Sequence, residues 1–446
     1  MSGFAEKTDI LNNFRQTFEK FENRLNGNGK SIVHQIRRKA IETFERTGFP
    51  GLKDEEYKYT HLGKALEKEF DFSFDDVPAS FERVSFDNYR LEGVDAYEAT
   101  FIDGAYAKEF STLQFAPGLR VMDMEEASNH YPADFSDHFS AYAKIESDPF
   151  IALNTAFSRH GAFIKVDDRT TVDKPIVIYH IATGAQSAIS YPRNLVLVGR
   201  EARVAVIEMF YSPAGIKTFV NEVTEIAVSE NAGLEYYKIQ TDIEDNYHVG
   251  ATVILQKRDS LVNCYTVSIN GIMVRNNLSL LLDGEYCESH MYGLYMLHGT
   301  THVDNHTLVD HRKPNCFSNE LYKGVLHDSS TAVFNGKIYV QKDAQKTNAF
   351  QSNKNIVLND SASVNAKPQL EIWADDVKCS HGCTVGQLDP EQIFYLRSRG
   401  MSEDSAKAML LVAFANDFLE TMKIEPLRKS VQEKILTKLH EDFIFD

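Results

Sequence analysis

Hydrophobic residues recur along this chain of 446 residues with two different periods, and the changes of period divide the chain into three parts. Near the N-terminus the apolar residues lie three or four positions apart, which is typical of amphipathic helices. The first stripe consists of Ile10, Phe14, Phe18 and Phe21. Ser31 can cap a second helix that ends near Gly48. The pattern predicts a helical or mixed N-terminal domain over residues 1–149.

From about Phe150 onward, short β-rich runs alternate with polar or glycine-containing breaks. Several aliphatic runs end at Val198, Val228, Leu255, Leu282, Leu326 and Leu358. All but one of the intervals between these ends are similar in length, and the interval from Leu282 to Leu326 is longer. Such a loose repeat is typical of a β-solenoid, in which each turn stacks its aliphatic residues on the next. The pattern favours a solenoid core over residues 150–385, with an irregular β-sandwich as the alternative.

After Gly386 the pattern becomes helical again, which predicts a C-terminal helical domain over residues 386–446. Asp389 followed by Pro390 is a typical helix start, and Ser402 and Pro426 can begin two further helices. These helices carry much apolar surface, so they must pack on the end of the solenoid or on a partner. The predicted fold is therefore mainly β, with a solenoid core between two helical domains.

Charge and cysteine content narrow the possible functions. The chain has 47 basic and 64 acidic residues and a net charge of −17, which argues against nucleic-acid and anionic-membrane binding. No apolar run is long enough to form a membrane-spanning helix, so we expect no membrane span. The first residues resemble no secretory signal, and five cysteines do not suggest a disulfide framework. We therefore expect a cytoplasmic protein with free thiols.

The sequence Cys379-Ser380-His381-Gly382-Cys383 is the strongest candidate for chemistry. In an extended strand, alternate residues point to the same side, so two thiols and one imidazole would share a face. These groups are soft ligands suited to iron, zinc or sulfur. Two buried cysteines and a hydrogen-bonded histidine are an equally good interpretation of the spacing. Because no second ligand pair follows, a metal site here would be open or completed by another chain.

Six of the fifteen histidines lie close together in sequence, namely His290, His298, His302, His306, His311 and His327. The even spacing of His298, His302 and His306 could place them on one face and supports an alternative function as a stand-alone metalloenzyme. Because this stretch is β-rich, hydrogen-bonded polar residues on a sheet surface are the favoured interpretation.

Residues 24–31 end in Gly29-Lys30-Ser31, as a phosphate-binding loop does. However, Arg24 stands where that loop needs glycine, and a helix precedes the stretch instead of a strand. We therefore expect that this chain binds no ATP itself.

Five stretches of the sequence carry recognisable motifs. The first three are Phe44–Leu62, Phe150–Gly161 and Phe334–Asp360, the last containing F-N-G-K-I-Y-V. The two most specific are K-P-Q-L-E-I-W-A-D-D-V-K-C-S-H-G, from Lys367 to Gly382, and F-Y-L-R-S-R-G-M, from Phe394 to Met401. Together the five stretches resemble the SufB/SufD family over most of the chain, and the first stretch and the K-C-S-H-G motif favour its SufD branch. The resemblance implies a right-handed parallel β-helix between N-terminal and C-terminal helical domains.

The resemblance also implies a non-catalytic scaffold subunit for iron–sulfur cluster assembly. Its expected partners are a SufB-like paralogue, which pairs with the β-helix, and a SufC-like ABC ATPase, which docks on the C-terminal helices and supplies ATP hydrolysis in trans. A transient iron–sulfur cluster or iron would be shared with the paralogue, and reduced flavin is associated with the family's complex. Whether the isolated chain forms a homodimer is left open.

Carried over by motif, the resemblance implies that His381 is a cluster or iron ligand and that Cys379 is a nearby thiol. Cys383 departs from the small residue common at its position, and is either an extra ligand or a neutral substitution. The implied partner-binding residues are Phe394, Tyr395, Leu396, Arg397 and Arg399.

Overall fold

The structure is a computed structural model, and it describes residues 14–23, 31–51, 53–70, 72, 86–112, 117–183 and 189–442, with side chains to residue 440. Ile10 and residues 24–30, on which two of the sequence predictions rest, lie outside these ranges.

The core of the protein is a β-solenoid of about eight turns, as the sequence predicts. Each complete turn contributes one strand to each of two long sheets, and strands of consecutive turns pair in parallel. Sheet A contains β1 (Tyr97–Ile102), β2 (Ala105–Tyr106), β5 (Ile176–Ile181), β8 (Arg203–Ser212), β10 (Gly233–Ile243), β12 (Leu261–Ser268), β14 (Glu288–Leu297), β16 (Phe317–Leu326), β18 (Thr347–Val357) and β20 (Val377–Gly386). Sheet B contains β3 (Leu119–Asp123), β4 (Ala162–Val166), β6 (Ile189–Ser190), β7 (Arg193–Val198), β9 (Thr218–Val228), β11 (Asn246–Gln256), β13 (Met273–Leu282), β15 (His302–His311), β17 (Thr331–Val340) and β19 (Ser363–Ile372).

The strand register confirms the predicted repeat. Gly233, Leu261, Glu288, Phe317 and Asn348 are consecutive partners in sheet A, so each full turn takes a similar length of chain. The longer interval from Leu282 to Leu326 has a simple cause. Leu282 ends a strand of sheet B, whereas Leu326 ends a strand of sheet A, so the interval contains an additional half turn.

One corner of the solenoid repeats the same backbone conformation on successive turns. Non-glycine residues there adopt the left-handed conformation with φ between 56° and 63°. They are Arg169, Glu201, Asn231, Asp259, Tyr286, Asn315 and Lys346, and the three that are Asn or Asp belong to the types that tolerate this conformation best. This residue turns the chain from a strand of sheet B into the next strand of sheet A.

The described part of the chain also contains helices on both sides of the solenoid. Residues 14–23 are helical. The other α-helices are α1 (Ile32–Thr47), α2 (Leu62–Glu69), α3 (Met124–His130), α4 (Pro132–His138), α5 (Pro149–Phe157), α6 (Pro390–Ser398), α7 (Glu403–Leu419) and α8 (Glu425–Asp442). Ser31, Asp389 and Ser402 cap α1, α6 and α7, which confirms these predicted helix starts.

The helical regions pack on the flat outer faces of the solenoid. Phe418 of α7 and Leu427 and Val431 of α8 share an apolar cluster with Tyr237 and Tyr265 of sheet A. The helix α5 and residues 14–23 instead pack against Phe219 and neighbouring residues of sheet B. The C-terminal helices therefore cover a side of the solenoid and leave its C-terminal end open.

Strands also occur before residue 150, where the sequence predicts the core to begin. β1, β2 and β3 extend the same two sheets, so the solenoid takes in part of the predicted N-terminal domain. None of the described helices has the length and apolar character needed to cross a membrane.

Candidate functional site

The predicted ligand triplet lies on β20, the last strand of sheet A. Cys379, His381 and Cys383 are register partners of Ala349, Gln351 and Asn353 on β18. Those three residues are at most 3% exposed, because they face the interior of the solenoid. The triplet therefore points along the same interior face, as its alternating spacing predicts. No described strand pairs with β20 on its other side, so Cys379 is only half-buried and the other two are exposed.

Polar residues lie directly beneath the triplet. The Cys383 Sγ is 3.6 Å from the Asn353 Oδ1, and the Asn353 side chain donates to the Tyr295 hydroxyl at 3.0 Å. Under His381, the Gln351 Nε2 donates to the Glu320 Oε2 at 2.7 Å. Burial raises the pKa of Glu320 to about 7. These residues form a polar floor beneath the triplet.

The two thiols of the triplet stay protonated more readily than a free cysteine. Burial raises the pKa of both Cys379 and Cys383. Because a thiol binds a metal as the thiolate, metal binding here must release protons. Two thiols and one imidazole form a soft, incomplete ligand set that matches iron, zinc or sulfide-bridged iron.

Opposite the triplet, the last strand of sheet B supplies an apolar wall. Ala366, Pro368 and Leu370 of β19 are register partners of Phe334, Gly336 and Ile338, which lie in the interior. The rim of this open end carries three exposed apolar side chains, which are Ile372 (38%), Trp373 (64%) and Val385 (53%). An exposed apolar surface at the end of a solenoid is typical of a surface that another structural element or another chain covers.

The predicted partner-binding residues follow on α6, a helix without buried residues. Phe394 and Tyr395 are 74% and 57% exposed. The Arg399 guanidinium donates to the Tyr395 hydroxyl at 2.9 Å, and Arg397 pairs with Glu403 at 3.1 Å. Leu396 is half-buried. The helix therefore presents an aromatic and basic surface next to the open end.

The structure does not bring His298, His302 and His306 together. His298 accepts a hydrogen bond from the Lys438 Nζ of α8 at 2.8 Å, beyond the end of β14. His302 and His306 lie on the outer face of β15. His302 Nε2 is 2.9 Å from the Thr60 Oγ1, and His306 Nε2 is 3.0 Å from the Asp304 Oδ1. His302 and His306 are therefore hydrogen-bonded residues on a sheet surface, as the favoured interpretation has it, and His298 is hydrogen-bonded just outside the sheet.

The sequence does not reveal that His302 and His306 contact a strap, the segment of residues 53–60 that crosses the outer face of sheet B. Arg275 donates to the Glu56 carbonyl at 2.7 Å and to the Asp304 Oδ2 at 2.7 Å. Thr60 donates to the same Asp304 oxygen at 2.5 Å. Beside the strap lies a cleft of about 390 Å³ whose lining mixes carboxylates and cations. The available signal was the pair Arg275 and Asp304, which are register partners on consecutive turns.

Among the described residues, a group of side chains that could bind a metal ion lies away from the triplet. It consists of Asp123, Glu125 and His160. Its atoms already have protein partners. Asp123 Oδ2 accepts from the Glu125 amide and lies 3.1 Å from the His160 Nδ1, while Glu125 pairs with Arg159 at 3.1 Å. This group therefore caps α3 and fixes the start of β4.

The chain is similar to known proteins along nearly its whole length. The family model "SUF system FeS cluster assembly, SufBD core domain" matches residues 180–414, and "SufBD protein N-terminal region" matches residues 8–178. The chain is 29% identical to the iron–sulfur cluster assembly protein SufD of Escherichia coli over 442 residues, which cover 98% of this chain and 99% of that protein. It is 29% identical to an iron–sulfur cluster assembly SufBD family protein of Synechocystis over 92% of each chain. It is 25% identical to SufD of Bacillus subtilis over 66% of this chain and 68% of that protein. With a core-domain match over more than half of its length, the chain belongs to the SufBD family and is a SufD-like member of it.

Proposed function

We propose that this chain is a non-catalytic scaffold subunit on which iron–sulfur clusters are assembled. The observation that carries the proposal is the register of β20, which lines up Cys379, His381 and Cys383 on an uncovered interior face. Iron and sulfide are the cargo of this site. His381 is its first ligand, because it lies between the two thiols and is exposed. The remaining ligands come from a second chain, since three donors on one strand leave the coordination of iron incomplete.

The second chain is a SufB-like paralogue that covers the open end. The last strands of both sheets, β19 and β20, are edge strands with unpaired backbone groups, and edges of this kind pair with strands of a partner. Trp373 and Val385 supply the apolar contact beside these edges. Pairing there would enclose the triplet between two solenoids and exclude water from the growing cluster. The isolated chain can use the same edges to form a homodimer.

A SufC-like ABC ATPase docks on α6 and supplies ATP hydrolysis in trans. Aromatic and arginine side chains are the residues that most often dominate protein–protein binding. The helix α6 and its C-cap residue present Phe394, Tyr395 and Arg399 together. Movement of the docked ATPases would reach the ligand strand directly, because only residues 387–389 separate β20 from α6. Reduced flavin in the assembled complex and a cytoplasmic location stay predictions.

The first experiment is co-expression with SufB-like and SufC-like partners, purification without oxygen and native mass spectrometry. We expect a 1:2:1 assembly of the SufB-like chain, the ATPase and this chain. Failure to associate under these conditions would refute the partner proposal. The variant Phe394→Ala tests the docking helix, since it should lose the ATPase and keep the SufB-like chain.

The second experiment separates the ligand proposal from the partner proposal. His381→Ala should leave the 1:2:1 mass unchanged and abolish the bound iron and acid-labile sulfide. His290→Ala is the matched control, because His290 is a partly exposed histidine on β14 of the same sheet but points outward. Equal cluster content in both variants would show that His381 is no ligand.

A further inference from the structure

Cys287 and Cys316 occupy the same corner of two consecutive turns, directly before β14 and β16. Each follows the left-handed residue of its turn, Tyr286 or Asn315. The side chains are 1% and 0% exposed. Small residues fill this corner position in the neighbouring turns, which are Ala202, Ala232, Ser260 and Thr347. The space therefore requires a small residue, but it does not require two thiols in succession.

The two thiols converge on one backbone acceptor. The Sγ atoms of Cys287 and Cys316 donate to one carbonyl oxygen, that of Gly284, at 3.1 and 3.2 Å. The two thiols also lie close enough that each shifts the pKa of the other. The Ser260 hydroxyl donates to the Cys287 Sγ at 3.8 Å, from the preceding turn. Two sulfur atoms and their hydrogen-bonding partners thus form one compact cluster.

The backbone places this pair within reach of a covalent bond. Neighbouring strands of a sheet lie about 4.8 Å apart, and the Cα atoms of disulfide-bonded cysteines lie about 4.4–6.8 Å apart. All five cysteines lie in the described part of the chain, and no other two of them occupy this arrangement. Cys379 and Cys383 lie about 13 Å apart along one strand. Cys264 is the register partner of Met291, which lies well beyond Cys287 on the next turn.

We propose that Cys287 and Cys316 form a redox site, a buried dithiol that a peroxide oxidises to a disulfide linking two consecutive turns of the solenoid. In the first step the Cys287 thiolate attacks one oxygen of hydrogen peroxide, which gives a sulfenic acid and water. The Cys316 sulfur then displaces the hydroxyl group, so that the S–S bond forms and a second water leaves. In total, two thiols and one peroxide give one disulfide and two waters.

The surroundings of the two thiols explain why Cys287 attacks the peroxide and Cys316 attacks the resulting sulfenic acid. The neighbouring Cys316 thiol lowers the pKa of Cys287, and the hydroxyl of Ser260 contributes in the same direction. The same proximity of the two thiols, together with burial, raises the pKa of Cys316. Only a turn separates the pair from solvent, because Glu285 and Tyr286 beside it are exposed. A two-oxygen oxidant is small enough to pass such a turn when it opens locally.

The test is a peptide map of the native full-length chain treated with hydrogen peroxide, alkylated and digested without reductant. We expect a linked peptide pair containing Cys287 and Cys316, two mass units lighter than the free thiols and reversed by dithiothreitol. Oxidation of exposed Cys383 in the same sample reports that the peroxide dose was sufficient. If Cys383 is oxidised while Cys287 and Cys316 are both still alkylated after unfolding, the proposal is wrong.

Two variants control for oxidation of unfolded protein. Cys316→Ser should abolish the linkage while the fold is retained, because serine occupies the same corner at Ser260. Cys264→Ala removes the third buried thiol and should leave the linkage unchanged. A linkage that forms in urea and is absent from the native chain would overturn the assignment. The outcome of the peptide map is independent of the proposed scaffold function, since the measurement needs neither a partner protein nor an iron–sulfur cluster.

Discussion

Replacing Asp304 by asparagine should release the N-terminal strap from the solenoid. The Asp304 carboxylate is 1% exposed and holds Arg275 at 2.7 Å and Thr60 at 2.5 Å. Although burial alone would raise the pKa of Asp304, the neighbouring Arg275 and His306 hold it below its ordinary value. The carboxylate is therefore charged at neutral pH. Asparagine keeps the shape of the side chain and removes the charge.

The expected loss of stability follows from the buried Arg275 guanidinium, which would lose its carboxylate partner. In Asp304→Asn, the Arg275 guanidinium stays buried with the Glu56 carbonyl at 2.7 Å and the Tyr57 ring at 3.8 Å, but without a carboxylate at hydrogen-bonding distance. Removing one partner of a buried ion pair typically costs about 3–5 kcal/mol. We expect a loss of this size in the free energy of unfolding, because Arg275 is also 1% exposed. The strap should open before the solenoid unfolds.

Urea unfolding followed by circular dichroism measures the loss, and limited proteolysis shows where it occurs. Cleavage within residues 53–60 should become faster in the variant than in the wild-type chain. Glu55→Gln is the matched control, because it removes the exposed ion pair with Lys367 on the same strap and should leave the unfolding midpoint unchanged. An Asp304→Asn chain within about 1 kcal/mol of wild type would refute the idea that this pair secures the strap.

Three further predictions concern the interior of the solenoid. Burial lowers the pKa of His311 to about 3. Below pH 6.5 the unfolded chain therefore takes up a proton that the folded chain excludes. Lowering the pH from about 6.5 to 5 should reduce the free energy of unfolding by about 2 kcal/mol. Urea unfolding at both pH values should show a flatter dependence for His311→Gln. Gly324→Ala should lower the melting temperature by an overpacking cost of about 1–3 kcal/mol, because a Cβ there would lie 2.1 Å from the Tyr295 Cε2. Phe334→Ala should cost about 3–5 kcal/mol of unfolding free energy through the cavity it leaves, as its side chain is fully buried.

The sequence predicted those features that depend on neighbouring residues. The caps at Ser31, Asp389 and Ser402 were found because a capping residue and its amide partner lie within three positions. The repeat was found because each turn needs an aliphatic stretch and a corner. The common face of Cys379 and His381 was found because alternation along a strand needs no tertiary information.

The features that were missed depend on contacts between distant parts of the chain. Arg275 and Glu56 lie in different predicted domains, so no local pattern marks the strap that they hold. β1 was missed because it is short and becomes part of the solenoid only by pairing with β5, which follows much later in the chain. The proximity of Cys287 and Cys316 likewise required the exact register of two turns, which an approximate period cannot give.

The open end of the solenoid explains why the proposed ligand site and the proposed partner surface would coincide on this chain. A solenoid has to stop, and the interior residues of its last turn then lose the next turn that would cover them. If these residues were all aliphatic, they would form a surface for a partner and could bind no metal. In this chain, an apolar wall on β19 faces two thiols and one imidazole on β20, so whatever covers the wall also encloses the donors. A protein that bound metal alone would not need Trp373 exposed beside the site, and one that only associated would not need three soft donors on its interior face.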